Sequence, residues 1–302
     1  LLKPVVKTGD HYIILSSQKT TRVSKQLHHW LEVNFQEKKT VEPKNPIPST
    51  PTSISKNTRT KLLGQYYTSK ANYILQGLSL PKKINIVEPF AGNGDLVVWS
   101  SKFQPKRIEC FDIKQQHNWI IPQDTLINVP SYNDSFVVTN PPFLTRAKAD
   151  NKTIFNKYKV NDLYKCFLIS LINSNCLGGV LILPANFWFS TEISTVRLRE
   201  KFLMKYYVPK LNVFEEQVFC GVNITVCSFQ FEQQKVVNLE TNTKIKFYPS
   251  EAIQIVDLQR QIQPVLYLKI FKEKNRSIKT QRFSTGSSLF KTNIVVNCVD
   301  NK

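Results

Sequence analysis

Ile84-Asn85-Ile86-Val87-Glu88-Pro89-Phe90-Ala91-Gly92-Asn93-Gly94-Asp95 runs from an apolar stretch into a turn of small residues, and Leu96–Lys102 beyond it suits a helix. The order strand, tight turn, helix is the opening unit of an α/β sheet. Two glycines and an alanine keep the turn free of bulky side chains, so a ligand can approach the backbone and meet amides at the helix N-terminus. The turn lacks the third glycine of a dinucleotide fingerprint and has no Gly-Lys-Ser/Thr, so neither NAD nor a nucleoside triphosphate is favoured. Working outward, Arg107–Ile113 reads as a second strand and Phe136–Thr139 as a third. Asp162–Asn173 then reads as a strongly apolar helix, Gly179–Leu183 as a fourth strand and Ile224–Phe231 as a later one. This alternation predicts a mostly parallel central sheet with helices on both faces and ligands at the carboxyl ends of the strands. No internal repeat is present.

The 302 residues suffice for one large domain with smaller attachments. A hydrophobic share of 41% with only 9 Gly and 16 Pro excludes disordered and collagen-like chains. The net charge of +19 points to a polyanion, and it is concentrated at the ends. Residues 1–60 hold 10 basic and 4 acidic side chains, residues 61–234 hold 19 and 13, and residues 235–302 hold 12 and 5. These flanks are suited to a phosphate backbone, with salt-dependent binding. Pro43–Ser55, with four Pro and five Ser/Thr, reads as an irregular connector, after a helix expected around Ser24–Val33. The expected organisation is therefore a basic arm and connector over 1–60, a catalytic domain over 61–234, and a basic segment over 235–302 that contributes to target recognition. Cys110, Cys166, Cys176, Cys220, Cys227 and Cys298 show no paired or zinc-ligand spacing and are expected as reduced, mostly buried thiols, with no metal. Without a membrane span or signal pattern, the protein is expected to be soluble and intracellular. Position 1 is Leu and the only Met is Met204, so the chain is expected not to be an intact translation product.

Two acids follow the glycine turn at informative places. Asp112 closes the second strand, where a carboxylate accepts hydrogen bonds from ribose hydroxyls. Asp124, after another turn, is placed to accept from an adenine amino group. Asn140-Pro141-Pro142-Phe143 ends the third strand, and two consecutive prolines hold that backbone stiff and extended. An exocyclic aromatic amine is a poor nucleophile because its lone pair is delocalised into the ring. Two acceptors on its hydrogens, the Asn140 carboxamide oxygen and the Pro141 carbonyl, would draw the nitrogen towards tetrahedral geometry and stabilise the charge that develops. Phe143 would stack on the ring.

In these motifs the chain resembles S-adenosylmethionine-dependent DNA adenine-N6 methyltransferases with the gamma order of motifs. Leu63-Gly64-Gln65-Tyr66-Tyr67-Thr68 resembles the motif that precedes the cofactor pocket and helps hold the methionine carboxylate. Ile86–Asp95 resembles the glycine-loop motif, with Glu88 at its acidic position, and Asn140–Phe143 the catalytic motif in its adenine form. Asp162–Phe167, Gly179–Pro184 and Val218-Phe219 resemble the later motifs. The likeness spans about residues 62–231, with Phe143 in place of the commoner Tyr and Ser69 in place of a common Pro.

The resemblance implies a Rossmann-like methyltransferase fold and S-adenosylmethionine as cofactor, with S-adenosylhomocysteine as product. It implies a cofactor set of Gln65, Tyr67, Thr68, Glu88, Phe90, Ala91, Gly92, Asn93, Gly94, Asp112, Ile113, Asp124, Thr125 and Asn140. The target adenine of double-stranded DNA would be flipped out and clamped between Phe143 and Phe219, beside Asn140, Pro141 and Pro142. Arg146, Lys148, Lys152, Lys157 and Lys159 follow the catalytic motif and are expected on the nucleic-acid backbone. A restriction endonuclease acting on the same sequence is the partner expected of such a family. The competing readings are an RNA adenine-N6 methyltransferase and a non-catalytic DNA-binding protein. A glutamine-N5 methyltransferase would not need two cationic flanks, and cytosine-N4 enzymes more often carry Ser where Asn140 stands.

Overall fold

The computed structural model describes residues 66–219, 224–234 and 242–258, together with the backbone of two short strands, β1 (Val5–Thr8) and β2 (His11–Ile14). These two pair antiparallel with each other. Gln65, the connector 43–55, the helix expected around 24–33, Cys220, Cys298 and the chain beyond 258 lie outside the described residues.

After a short helix α1 (Ala71–Ile74), the expected unit appears as β3 (Asn85–Glu88), the glycine turn and α2 (Asp95–Ser101). Next come β4 (Arg107–Asp112), β5 (Ile121–Pro122) and β6 (Phe136–Thr139). A helical insertion, with a 3-10 turn at Arg146–Lys148 and helix α3 (Thr153–Tyr158), leads to α4 (Leu163–Ile172) and β7 (Gly178–Pro184). Helices α5 (Asn186–Phe189) and α6 (Ile193–Lys205) precede β8 (Tyr206–Phe214), β9 (Val226–Gln233), β10 (Asn242–Tyr248) and β11 (Ile253–Asp257).

Among the described residues nine strands form one sheet, ordered β11-β10-β8-β9-β7-β6-β3-β4-β5. The run β7-β6-β3-β4-β5 is parallel throughout, and β9 enters antiparallel beside β7. The fold is therefore the Rossmann-like α/β sheet that the sequence leads one to expect. Strand order reverses between β3 and β6, and this switch point opens a crevice at the carboxyl ends of those strands. Glu88 and Thr139 are the last residues of the two strands, so the glycine turn and the Asn-Pro-Pro-Phe corner face each other across it.

Strand β7 is buried along its whole length, which requires cover on both faces of the sheet. Gly178 and Gly179 begin it because there is no room for a side chain: a Cβ on Gly179 would lie 1.8 Å from the Val137 carbonyl oxygen of β6. The antiparallel half is held by rings. Trp188 of α5 meets Phe229 of β9 edge-on at 5.1 Å, and Tyr206 of β8 meets Phe231 at 5.0 Å. Cys110, Cys166, Cys176 and Cys227 are buried free thiols.

The sheet does not stop at residue 234, where a boundary was expected. Strand β10 pairs in parallel with β8, and β11 pairs antiparallel with β10. Thr243, Ile245 and Phe247 face inwards while Lys244 and Asn242 face out. Lys244 and Lys246, two of the twelve basic residues of this stretch, are thus on the outward half of an alternating strand.

Candidate active site

The turn after β3 is shaped by its own backbone. Phe90 N–H donates to Glu88 Oε1 (3.1 Å), Ala91 N–H to the Phe111 carbonyl (2.8 Å) and Gly94 N–H to the Ala91 carbonyl (2.8 Å). Gly92 and Gly94 take φ of 50° and 84°, in the left-handed region that favours glycine. A Cβ on Gly92 would also press on the Tyr67 ring at 3.1 Å. Gly92 N–H donates to Asp112 Oδ2 (2.9 Å), and Lys114 N–H to Asp112 Oδ1 (2.8 Å). Burial raises the Asp112 pKa above its usual value, an effect that those amides and the Lys114 charge only partly offset. The carboxylate thus fixes the turn from beneath and still lines the cavity above it.

That cavity has a volume of about 490 Å³, within the range of small-molecule and cofactor sites. Asp124 stands at its far side, its Oδ1 accepting from Leu126 N–H (3.0 Å) and Ile127 N–H (3.3 Å). Thr125 donates to the Pro89 carbonyl (3.0 Å), locking this turn to the glycine turn. Ile113 and Ile127, 55% and 58% exposed, give the cavity apolar rims. A smaller adjoining hollow is lined by Tyr67, Thr68, Phe90, Ala91, Gly92, Asn93 and Asn140.

Across the crevice, Thr139 donates to Glu88 Oε1 (2.6 Å). Glu88 is 2% exposed, its Oε2 has no partner among the described residues, and it lines neither hollow. Burial drives its pKa up to about 8 despite the Thr139 and Phe90 hydrogen bonds. Its place is structural: it joins the glycine turn to the residue just before Asn140.

The Asn140 side chain has a defined orientation. Its Nδ2 donates to the Tyr66 carbonyl (2.7 Å) and to Thr68 Oγ1 (3.1 Å). A backbone carbonyl only accepts, so the amide nitrogen must face it and the oxygen must point the other way. Asn140 Oδ1 is buried and has no partner among the described residues, an acceptor open to a donor from elsewhere. Tyr66 was not among the expected site residues, although it lies between Gln65 and Tyr67 of the quoted motif; its contribution is a main-chain atom, which residue type cannot signal.

Phe143 is 8% exposed and packs against Tyr66 (5.8 Å, 35°), Phe219 (6.3 Å, 63°) and Tyr164 (6.4 Å, 89°). Phe219 also stacks on Tyr66 at 6.1 Å. A flat base needs about 3.5 Å to each neighbouring ring, hence two parallel rings roughly 7 Å apart. Phe143 and Phe219 are close together, as expected, but stand edge to face, so a base between them requires one ring to move.

Pro142 lines the cavity wall and Pro141 is buried. Of the expected cationic set, Lys148, Lys152 and Lys159 are exposed and Arg146 is half-buried. Lys157 is engaged within the protein, donating to the Leu126 carbonyl (3.2 Å) and the Ile127 carbonyl (3.1 Å). Among the described residues no cluster of three or more His, Cys, Asp or Glu side chains could hold a metal ion, and no helix is long and apolar enough to cross a membrane.

No family model matches this sequence, and no curated protein matches it. Solved structures do. A modification subunit assigned to a type I restriction enzyme of Vibrio vulnificus YJ016 is 12% identical, with 70% of this chain and 54% of that one covered at a TM-score of 0.49. The methyltransferase subunit of a type I restriction-modification system from Streptococcus thermophilus is 12% identical, covering 70% and 54% at 0.45. A Pyrococcus horikoshii protein assigned as an RNA methyltransferase is 16% identical, covering 69% and 97% at 0.41. The chain spans about half the length of the restriction-enzyme modification subunits that it matches.

Proposed function

We propose that this chain is the catalytic domain of an S-adenosylmethionine-dependent methyltransferase that acts on the N6 amino group of adenine in double-stranded DNA, as one component of a restriction-modification system. The observation that carries the reading is the buried Asn140 Oδ1, without a partner among the described residues and oriented by Tyr66 and Thr68, on a residue that lines both hollows of the crevice.

The residues present fit that cofactor. Asp112 has lone pairs left for ribose hydroxyls after serving Gly92 and Lys114, Asp124 stands where an adenine amino group would donate, and Ile113 and Ile127 offer apolar faces to a purine. Gly92 leaves open the space that a side chain would fill. Tyr67, Thr68 and Asn93 line the smaller hollow beside Asn140, where the methionine portion would extend. S-adenosylmethionine, when bound, supplies an electrophilic methyl group on a sulfonium.

Asn140 Oδ1 and the Pro141 carbonyl would each accept one hydrogen of the target amine, which localises the nitrogen lone pair and offsets the charge that develops on it. Neither group is a base. The methylated amine is acidic enough to lose its proton to water, so no titrating side chain is required at this position. The rigidity of the Asn-Pro-Pro corner, with Thr139 tied to Glu88, means little reorganisation is needed during reaction. The test is to incubate the protein with DNA and methyl-labelled cofactor and to locate the label. N6-methyladenine in duplex DNA supports the reading, whereas label in RNA alone, or none in any nucleic acid, overturns it.

A further inference from the structure

The segment between the catalytic corner and α4 is a loop closed at its neck. Arg146 N–H donates to the Asn161 carbonyl (2.7 Å), Leu163 N–H donates to the Leu144 carbonyl (3.1 Å), and Thr145 and Asp162 form an antiparallel bridge. The chain thus leaves the frame and re-enters it at one point, the plan of an Ω-loop. Its root is fixed. Lys165, 3% exposed, places its Nζ 3.3 Å from Asp162 Oδ2 and 3.1 Å from Glu192 Oε2 and donates to Thr195 Oγ1 (2.8 Å), which ties the neck to the start of α6.

Beyond the neck, the loop folds over the large cavity, and Ala149, Asp150, Asn151, Ile154 and Phe155 form part of its wall. Its last turn is tied to another stretch of the same wall. Lys157 Nζ donates to the Leu126 and Ile127 carbonyls, and the Tyr158 hydroxyl donates to the Leu126 carbonyl at 3.0 Å. Leu126 and Ile127 belong to the turn capped by Asp124, which lines the same cavity. Lys159 then ends α3 with φ of 55° and sends the chain back towards the neck. A loop anchored at its root and tied at its last turn to a second segment of the same cavity wall is placed to cover that cavity, and this second attachment decides how readily it lifts.

We propose that Lys157 and Tyr158 latch this loop over the cofactor and so set the rate at which cofactor and product exchange. The proposal rests on reading the cavity as the S-adenosylmethionine site. It also gives Lys157 a role different from a contact to nucleic-acid backbone.

The test measures release of labelled S-adenosylhomocysteine, chased with excess unlabelled compound, from the full chain and from Lys157→Met and Tyr158→Phe, which keep side-chain bulk and remove the donors. Release is expected to be about tenfold faster in Lys157→Met, as befits hydrogen bonds from a charged donor, and a few-fold faster in Tyr158→Phe, with association little changed. Trypsin cleavage at Lys148 and Lys152 is expected to be suppressed by the ligand in the parent chain and much less so in Lys157→Met. A role in general stability alone would lower the melting temperature without ligand and leave the ratio of release to association unmoved. Binding with unchanged release in both variants overturns the latch and leaves the cofactor reading intact. Failure of the parent chain to bind the compound at all overturns the cofactor reading and the latch with it.

Discussion

Asn140 is oriented by an atom that its own sequence neighbours do not supply. The motif Asn-Pro-Pro-Phe announces the residue, but the carbonyl that orients it belongs to Tyr66, 74 positions earlier. That pairing is legible only in the folded chain, because any residue type could supply a main-chain oxygen. Glu88 shows the opposite limit. The sequence marks it as an acid beside the cofactor, whereas in the fold it is sealed beneath the turn with one oxygen unpartnered among the described residues. Its pKa is raised from 4.5 to about 8, so the folded state holds a proton that the unfolded state gives up over that interval. The stability linked to this group is complete below about pH 4.5 and is lost progressively as pH rises towards 8. Melting temperatures across this range should therefore fall for the parent chain more steeply than for Glu88→Gln, in which the group stays neutral. Parallel curves for the two proteins would remove Glu88 from the account. Gly92→Ala is the companion test on the cofactor side. Its Cβ meets Tyr67 at 3.1 Å in a left-handed backbone, so S-adenosylhomocysteine affinity should drop about tenfold or more in titration calorimetry.

At the scale of elements, the strands that carry the site were legible, and so was β9, whereas β8, β10 and β11 were not. Phe136–Thr139 and the INIVE run are short apolar segments bounded by turns, the signature of strands buried on both faces, and they lie where expected. Tyr206–Phe214, by contrast, mixes Pro209, Lys210 and Asn212 into its pattern, and Asn212 is buried because its amide donates to the Gln76 carbonyl (3.0 Å) across the molecule. A long-range partner of that kind cannot be read from local composition. Strand β7 owes its place beside β6 to two glycines. In Gly179→Ala the new Cβ would collide with the Val137 carbonyl, so the sheet must open at its centre. A loss of about 3 kcal/mol or more in denaturant unfolding is expected, with the m-value retained.

For the whole molecule, charge and topology divide the labour. The sheet gathers the site at one crevice, and the excess of cations on the chain, +19 in all, supplies long-range attraction for a polyanion without selecting a sequence. Part of what reads as flanking charge is built into the sheet, since Lys244 and Lys246 alternate with the buried residues of β10, the strand next to its edge. On the loop after the Asn-Pro-Pro-Phe corner, Lys148 and Lys152 are exposed cations. Replacing both with Gln should reduce the slope of log affinity for duplex DNA against log salt by about 2, with cofactor binding unchanged. An unaltered slope would move the nucleic-acid track elsewhere on the surface.

The central claim is that Asn140, held by Tyr66 and Thr68, offers its carboxamide oxygen to the amine that is methylated. The direct measurement compares methyl transfer from labelled S-adenosylmethionine to duplex DNA by the parent chain and by Asn140→Ala, alongside S-adenosylhomocysteine affinity for both. Transfer is expected to fall by about 10²-fold or more while affinity changes only a few-fold. Transfer that survives the substitution, or a parent chain that moves no methyl group to DNA, would contradict the account.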